Sequence, residues 1–103
     1  MKGPYKLGTL HSPLPPATTS WEHTRLSRGS RYRVAGSFVD ADGDEHPSGE
    51  EWIFLNTTFS KFDNELTIQV RKDNGEEWKI PLVWERGRQW DVLENWSQYF
   101  RLC

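Results

Sequence analysis

The chain has 103 residues, a net charge of -2, 35% apolar and 14% aromatic residues, and a single cysteine, Cys103. That length bounds it to one small domain, in which roughly 65% of the unfolded surface can be buried. No apolar run approaches the about 18 residues of a membrane-spanning helix, no secretory leader pattern is present, and one cysteine excludes both a disulfide framework and a thiolate zinc site. The expectation is therefore a cytoplasmic domain whose core is carried by large rings, since 6 Trp, 5 Phe and 3 Tyr stand in for scarce aliphatics.

Residues 1–24 hold Pro4, Pro13, Pro15 and Pro16 and the run Ala17-Thr18-Thr19-Ser20, with no period of 2 or 3.6. They read as an extended arm, tied down by Tyr5, Leu10, Leu14 and Trp21, preceding a single β-rich domain over 25–103. From Arg31 the texture changes. Tyr32, Val34 and Phe38 alternate with polar or small residues, as in a half-buried strand, which turns Arg31 and Arg33 to solvent and Tyr32 to the core. Arg31 and Arg33 are then expected to pair with acids of a neighbouring strand, such as Glu76 or Glu77. Trp52-Ile53-Phe54-Leu55 reads as a buried strand. Leu66, Ile68 and Val70 alternate with Thr67, Gln69 and Arg71; Asp73-Asn74-Gly75 interrupts; Trp78, Ile80 and Leu82 alternate again. This is a β-hairpin, with Pro81 placing its second strand near a sheet edge or a bulge. Trp90, Leu93, Trp96 and Phe100 then recur at helical spacing, which predicts one helix from about Gln89 to about Tyr99, with a short helix plus a final strand as the alternative. The fold class is mainly β (α+β): a small curved antiparallel sheet, or an SH3-like partly open barrel, with one C-terminal helix.

The charge is uneven. Residues 1–39 carry six bases and one acid, residues 40–51 six acids and no base, and the remainder is nearly balanced. The acidic segment runs Asp40-Ala41-Asp42-Gly43-Asp44-Glu45-His46-Pro47-Ser48-Gly49-Glu50-Glu51. Counted as a calcium loop, Asp40, Asp42, Asp44 and Glu51 occupy oxygen-ligand positions. However, Glu45 stands where a glycine is required and the flanks read as strands, so no metal or other cofactor is assigned. The expectation is a solvated loop with turns at Asp40, Gly43 and Gly49. His46 lies beside Glu45 and near Glu50, where an acid–base pair is conceivable, while His11 and His23 fall in the arm; no nucleophile elbow or phosphate cradle accompanies them. No catalytic residue is assigned.

The ordered series Leu26, Gly29, Arg31-Tyr32-Arg33-Val34, Phe38, Asp40, Asp42-Gly43, His46, Gly49-Glu50, Trp52 and Phe54 resembles a small bacterial family known only as a domain of unknown function, and the resemblance runs on to Tyr99. The chain departs from that pattern at Phe62-Asp63-Asn64-Glu65. The family brings no established reaction, so no site residue transfers from it. The order of strand, acidic turn and strand also resembles SH3-like barrels at the level of fold, which licenses no function.

What remains is a non-enzymatic protein-binding domain that contacts a basic partner through Asp42, Asp44, Glu45 and Glu50, with Trp84 as an anchor if exposed. An inhibitor or immunity-type protein is the concrete version. A cation- or nucleic-acid-binding small barrel is the alternative, and a small hydrolase using His46 and Glu50 ranks last. The stretch Arg25, Arg28, Arg31 and Arg33 around Tyr32 is the only basic–aromatic feature for nucleic acid, and the adjacent acids oppose phosphate.

Overall fold

A computed structural model describes residues 1–5 and 26–103. The expected arm therefore lies largely outside the described residues, with His11, His23 and Arg25. Its first residues are in a strand: β1 (Lys2–Tyr5) pairs antiparallel with β7 (Glu77–Val83). Between them in the chain come β2 (Arg31–Val34), β3 (Phe38–Val39), β4 (Glu45–His46), β5 (Glu51–Ser60) and β6 (Glu65–Arg71). After β7 follow α1 (Trp90–Glu94), α2 (Trp96–Tyr99) and β8 (Phe100–Leu102). Six strands form one antiparallel sheet in the order β1-β7-β6-β5-β2-β8, and β3 pairs with β4 in a small hairpin. No pairing joins β1 to β8 among the described residues, so the antiparallel sheet does not close into a barrel.

The β6–β7 hairpin follows the alternation of its sequence. Leu66, Ile68 and Val70 lie opposite Leu82, Ile80 and Trp78 on one face. The strand β5 is less regular, because a shift in register between Phe54 and Asn56 inserts Leu55 as a bulge. Trp52 and Phe54 face the core before the bulge, and Thr57, opposite Ile68, faces it afterwards. One inserted residue exchanges the parity of the strand, which is what a bulge does to a period of two. Pro81 pairs with Thr67 where β7 has passed the end of β1, and its carbonyl accepts the Ala41 N–H at 2.8 Å. It thus sits where β7 is open on one side, as a residue without an N–H requires.

The C-terminal segment breaks at Asn95, whose φ of -129° and ψ of 48° leave the helical region; both its backbone N–H and its side-chain amide donate to the Asp91 carbonyl. The single helix expected from the spacing is therefore two short helices and a final strand, β8, which pairs with β2. Val92, Leu93, Trp96 and Phe100 still reach the core, whereas Trp90 is half-buried beneath the Arg86 guanidinium. The inner face of the sheet, the β3–β4 hairpin and these helices enclose one core built on Tyr32, Val34, Phe38, Trp52, Phe54, Ile68 and Phe100 with their neighbours. No helix among the described residues is long and apolar enough to cross a membrane.

Candidate functional site

The acidic segment folds around its own first residue. Asp40 is 2% exposed, and its Oδ1 accepts the backbone N–H groups of Asp42 and Asp44 at 2.9 and 3.1 Å. Gly43, at φ 88°, closes the turn between β3 and β4. The other oxygen, Oδ2, lies 2.7 Å from His46 Nε2. His46 Nδ1 lies 2.7 Å from Glu50 Oε2, which also accepts the Trp52 indole N–H at 3.3 Å. Phe38 stacks on the imidazole at a centroid distance of 4.8 Å and an interplanar angle of 17°. Gly49, at φ 100°, turns the chain so that Glu50 can reach back.

Thus Asp40, His46 and Glu50 are not solvated, contrary to the expectation for this loop: His46 is fully buried and the Glu50 side chain is only 14% exposed. Burial opposes the charged form of all three groups. For His46 the bonds to Glu50 and Asp40 outweigh burial and raise the imidazole above its usual range. For Asp40 the bonds from the Met1 α-ammonium and His46 prevail and hold the carboxyl low, and for Glu50 the bond and charge of His46 do the same. A carboxylate oxygen at each ring nitrogen favours the doubly protonated imidazole, in which both nitrogens donate.

Asp42, Asp44 and Glu45 turn outward. The Met1 α-ammonium lies 2.9 Å from Asp40, 3.0 Å from Asp42 and 2.6 Å from Asp44. Desolvation works against its charge, yet the hydrogen bonds it donates to Asp44, Asp40 and Asp42 push its pKa up from 8.0 to about 10. Single oxygens of the same three aspartates lie within 4.8 Å of one another, an arrangement able to hold a metal ion. Glu51, the twelfth residue of the calcium-loop count, is engaged elsewhere, with Arg33 at 3.1 Å.

The remaining candidates are dispersed. Trp84 is half-buried against the core, and its backbone is fixed by Asn64, whose carbonyl accepts the Trp84 N–H at 2.8 Å and whose amide donates to the Trp84 carbonyl at 2.5 Å. Arg31 pairs with Asp73 at 2.8 Å and reaches Glu51 at 3.8 Å; Arg33 pairs with Glu51. Their partners are thus Glu51 and Asp73 rather than Glu76 or Glu77, because Glu77 is buried and bound by Arg71 at 3.2 Å. Tyr32 is core, with its hydroxyl accepting the Ser27 N–H. The sequence reading missed the buried Asp40–His46 pair. A polar run of this kind carries no periodicity from which to tell inward from outward residues. It also missed Phe62, fully exposed at the β5–β6 turn, which carries no pattern of any kind.

No family model matches this sequence, and no curated protein does. Among solved structures, an integron cassette protein from the mobile metagenome of Vibrio cholerae is similar in fold. It has a TM-score of 0.76 and 23% identity, over 87% of this chain and 99% of that one.

Proposed function

We propose that the chain is a non-enzymatic, cytoplasmic protein-binding domain whose contact surface is the carboxylate rim Asp42, Asp44 and Glu45, presented to a basic partner. The observation that carries this reading is the division of labour within one short segment. Asp40, His46 and Glu50 brace the hairpin from inside, while Asp42 and Asp44 keep side-chain exposures of 32% and 55%. A braced rim lowers the ordering cost of binding, and concentrated charge speeds encounter with an opposite charge. His46 has both ring nitrogens engaged and no exposed edge, which removes it as an acid–base group for a substrate. An inhibitor or immunity-type role against a basic toxin or nucleic-acid enzyme fits such a rim.

The test is capture of host proteins by wild type and by the Asp42→Asn, Asp44→Asn, Glu45→Gln variant, at low and high salt. The variant, melting within a few degrees of wild type, should lose a salt-sensitive partner; retention of the same proteins in the same amounts removes the rim as the contact surface. Glu50 is left intact, because its bond to His46 would confound folding with binding.

The convergence of Asp40, Asp42 and Asp44 favours a cation site as the second reading. Saturating calcium would then raise stability by about 2.7 kcal/mol at a hundredfold over its dissociation constant. The protein-binding reading expects millimolar calcium to leave the melting temperature nearly unchanged, since the Met1 α-ammonium already sits among the three carboxylates where the ion would bind. A calcium-dependent rise abolished by Asp42→Asn decides for the cation.

A further inference from the structure

The three aspartates of the hairpin already hold a cation, and it comes from far away in the chain. The Met1 nitrogen, 41 residues before Asp42, has one oxygen of each carboxylate around it, at 2.9 Å from Asp40, 3.0 Å from Asp42 and 2.6 Å from Asp44. An ammonium has three donors and no acceptor, so a single nitrogen can satisfy three oxygens from three residues. A guanidinium is planar and pairs best with both oxygens of one carboxylate. Asp40 has only one to offer, because its Oδ1 accepts the backbone N–H groups of Asp42 and Asp44. The Asp40 side chain has no exposed surface, so its Oδ2 is reached by a slender group passing between the exposed Asp42 and Asp44. This geometry suits a primary ammonium on a narrow stem.

The strand that delivers Met1 has few ties. Among the described residues β1 is an edge strand, with Lys2, Gly3 and Pro4 exposed. Its register slips between Lys2 and Tyr5, and Pro4 has no N–H to give to the ladder. Lys2 stands opposite Lys79, and like charges placed directly opposite weaken a pair. Gly3 against Trp78 and the Met1 side chain against the core are its main anchors. An edge of this kind opens at a lower free energy than the sheet it borders.

We propose that Met1 is the internal occupant of a site for a lysine of the basic partner, and that β1 is a strap that swings away when the lysine ε-ammonium takes its place among Asp40, Asp42 and Asp44. The proposal rests on the protein-binding reading of the rim, and adds to it the group recognised and a control on access. The flexible four-carbon stem of lysine reaches Asp40 as the chain end does. The strap competes from within the same molecule, at an effective concentration on the order of millimolar, so an incoming lysine must outbid a tethered rival.

Binding is read by amide correlation NMR on the isotope-labelled full chain, with N-acetyl-L-lysine methylamide and N-acetyl-L-arginine methylamide as probes. Three forms are compared. One has a free α-amine; one carries N-formylmethionine, whose nitrogen bears no charge; the third is Gly3→Ala, chosen to detach β1 with its amine free. Saturable shifts over residues 40–46 are expected with the lysine probe. The formylated chain should bind it about tenfold more tightly than the free-amine chain, with Gly3→Ala between them, and the arginine probe should bind about tenfold more weakly than lysine. Asp42→Asn with Asp44→Asn in the formylated chain should abolish the shifts. Equal affinity of the formylated and free-amine chains overturns the strap. Arginine binding as tightly as lysine overturns the ammonium site, as does absence of saturable shifts in both the formylated and the Gly3→Ala chains. Failure here is distinct from failure of the rim: if the rim variant loses a salt-sensitive host partner while the lysine probe binds no form, the protein-binding reading stands and this one falls.

Discussion

His46 lies between Asp40 and Glu50 at 2.7 Å on each side, with no solvent at its ring. Its imidazole is raised above 6.5 in the fold, so the stabilisation it provides is complete below pH 6.5 and is lost as pH climbs from there through the folded value. Asp40 and Glu50 are held below 3.8 and 4.5, so their stabilisation is present above those values and drains as pH falls through the lower folded ones. Stability should therefore be greatest between about pH 5 and 6.5 and decline on both sides. The Met1 α-ammonium, raised from 8.0 to about 10, adds a separate loss above pH 8. Denaturant titrations of wild type and His46→Gln across this range separate the contributions. The variant should be less stable at pH 6, by about 3–5 kcal/mol if both carboxylates stay buried and charged. It should also lack the decline between pH 6.5 and 8; the same slope in both proteins would show that another group titrates there.

The strands differ in how plainly they were written. β6 and β7 were legible because Leu66, Ile68 and Val70 and their partners Ile80 and Leu82 are buried apolar residues at alternate positions, a pattern that stands out in the sequence even though Glu77, Pro81 and Val83 on the other face of β7 are buried as well. Ile68 is at the centre of β6 with no exposure, opposite Ile80, so Ile68→Asp places an unpaired charge in the core. The variant should fail to give a cooperative melt by circular dichroism. β1 was not legible: Lys2-Gly3-Pro4-Tyr5 has no alternation, and its place depends on what β7 offers it. Gly3, at φ 143°, lies so near that a Cβ would fall 2.8 Å from the Trp78 ring and 2.9 Å from the Glu77 carbonyl. Gly3→Ala should therefore detach β1, at a cost of about 1–3 kcal/mol, with loss of amide protection at Lys79 but not at Ile68. Protection retained at Lys79 would mean that β1 shifts and still pairs. The bulge at Leu55 and the break at Asn95 belong to the same class. A run of β-formers hides an inserted residue, and a helical stripe of aromatics survives when the helix is cut, because its two pieces still face one core. The Asp40–His46–Glu50 site was hidden for a related reason: its residues were all noticed, but spacing within a polar loop does not say which side chains the turn folds inward.

At the scale of the whole molecule, chain-distant segments meet on one ring. Phe100 begins β8 and lies 5.5 Å from Phe38 of the hairpin, 5.6 Å from Trp52 of β5 and 4.9 Å from Trp96 of α2. The α-carbon radius of gyration, 12.6 Å, is that of a compact chain of this length. If the hairpin, sheet and helices form one cooperative unit, removing the ring must be felt in all three. Phe100→Ala removes a side chain that is 4% exposed, a class of change that costs about 3–5 kcal/mol, against a total of about 5–15 for domains of this size. At about 4–8 °C per kcal/mol near the midpoint, the melting temperature should fall by on the order of 15 °C or more, in a single transition. The competing arrangement, in which α1, α2 and β8 are an appendage on a sheet stable without them, makes a different forecast. Amide protection would then collapse over residues 90–103 while Ile68 and Ile80 keep theirs, and the main transition would barely move. Hydrogen exchange on Phe100→Ala decides between them. A uniform loss of protection, reaching Ile68 as strongly as Val92, is expected, because the ring that closes the C-terminal segment also holds the hairpin carrying His46 against the sheet.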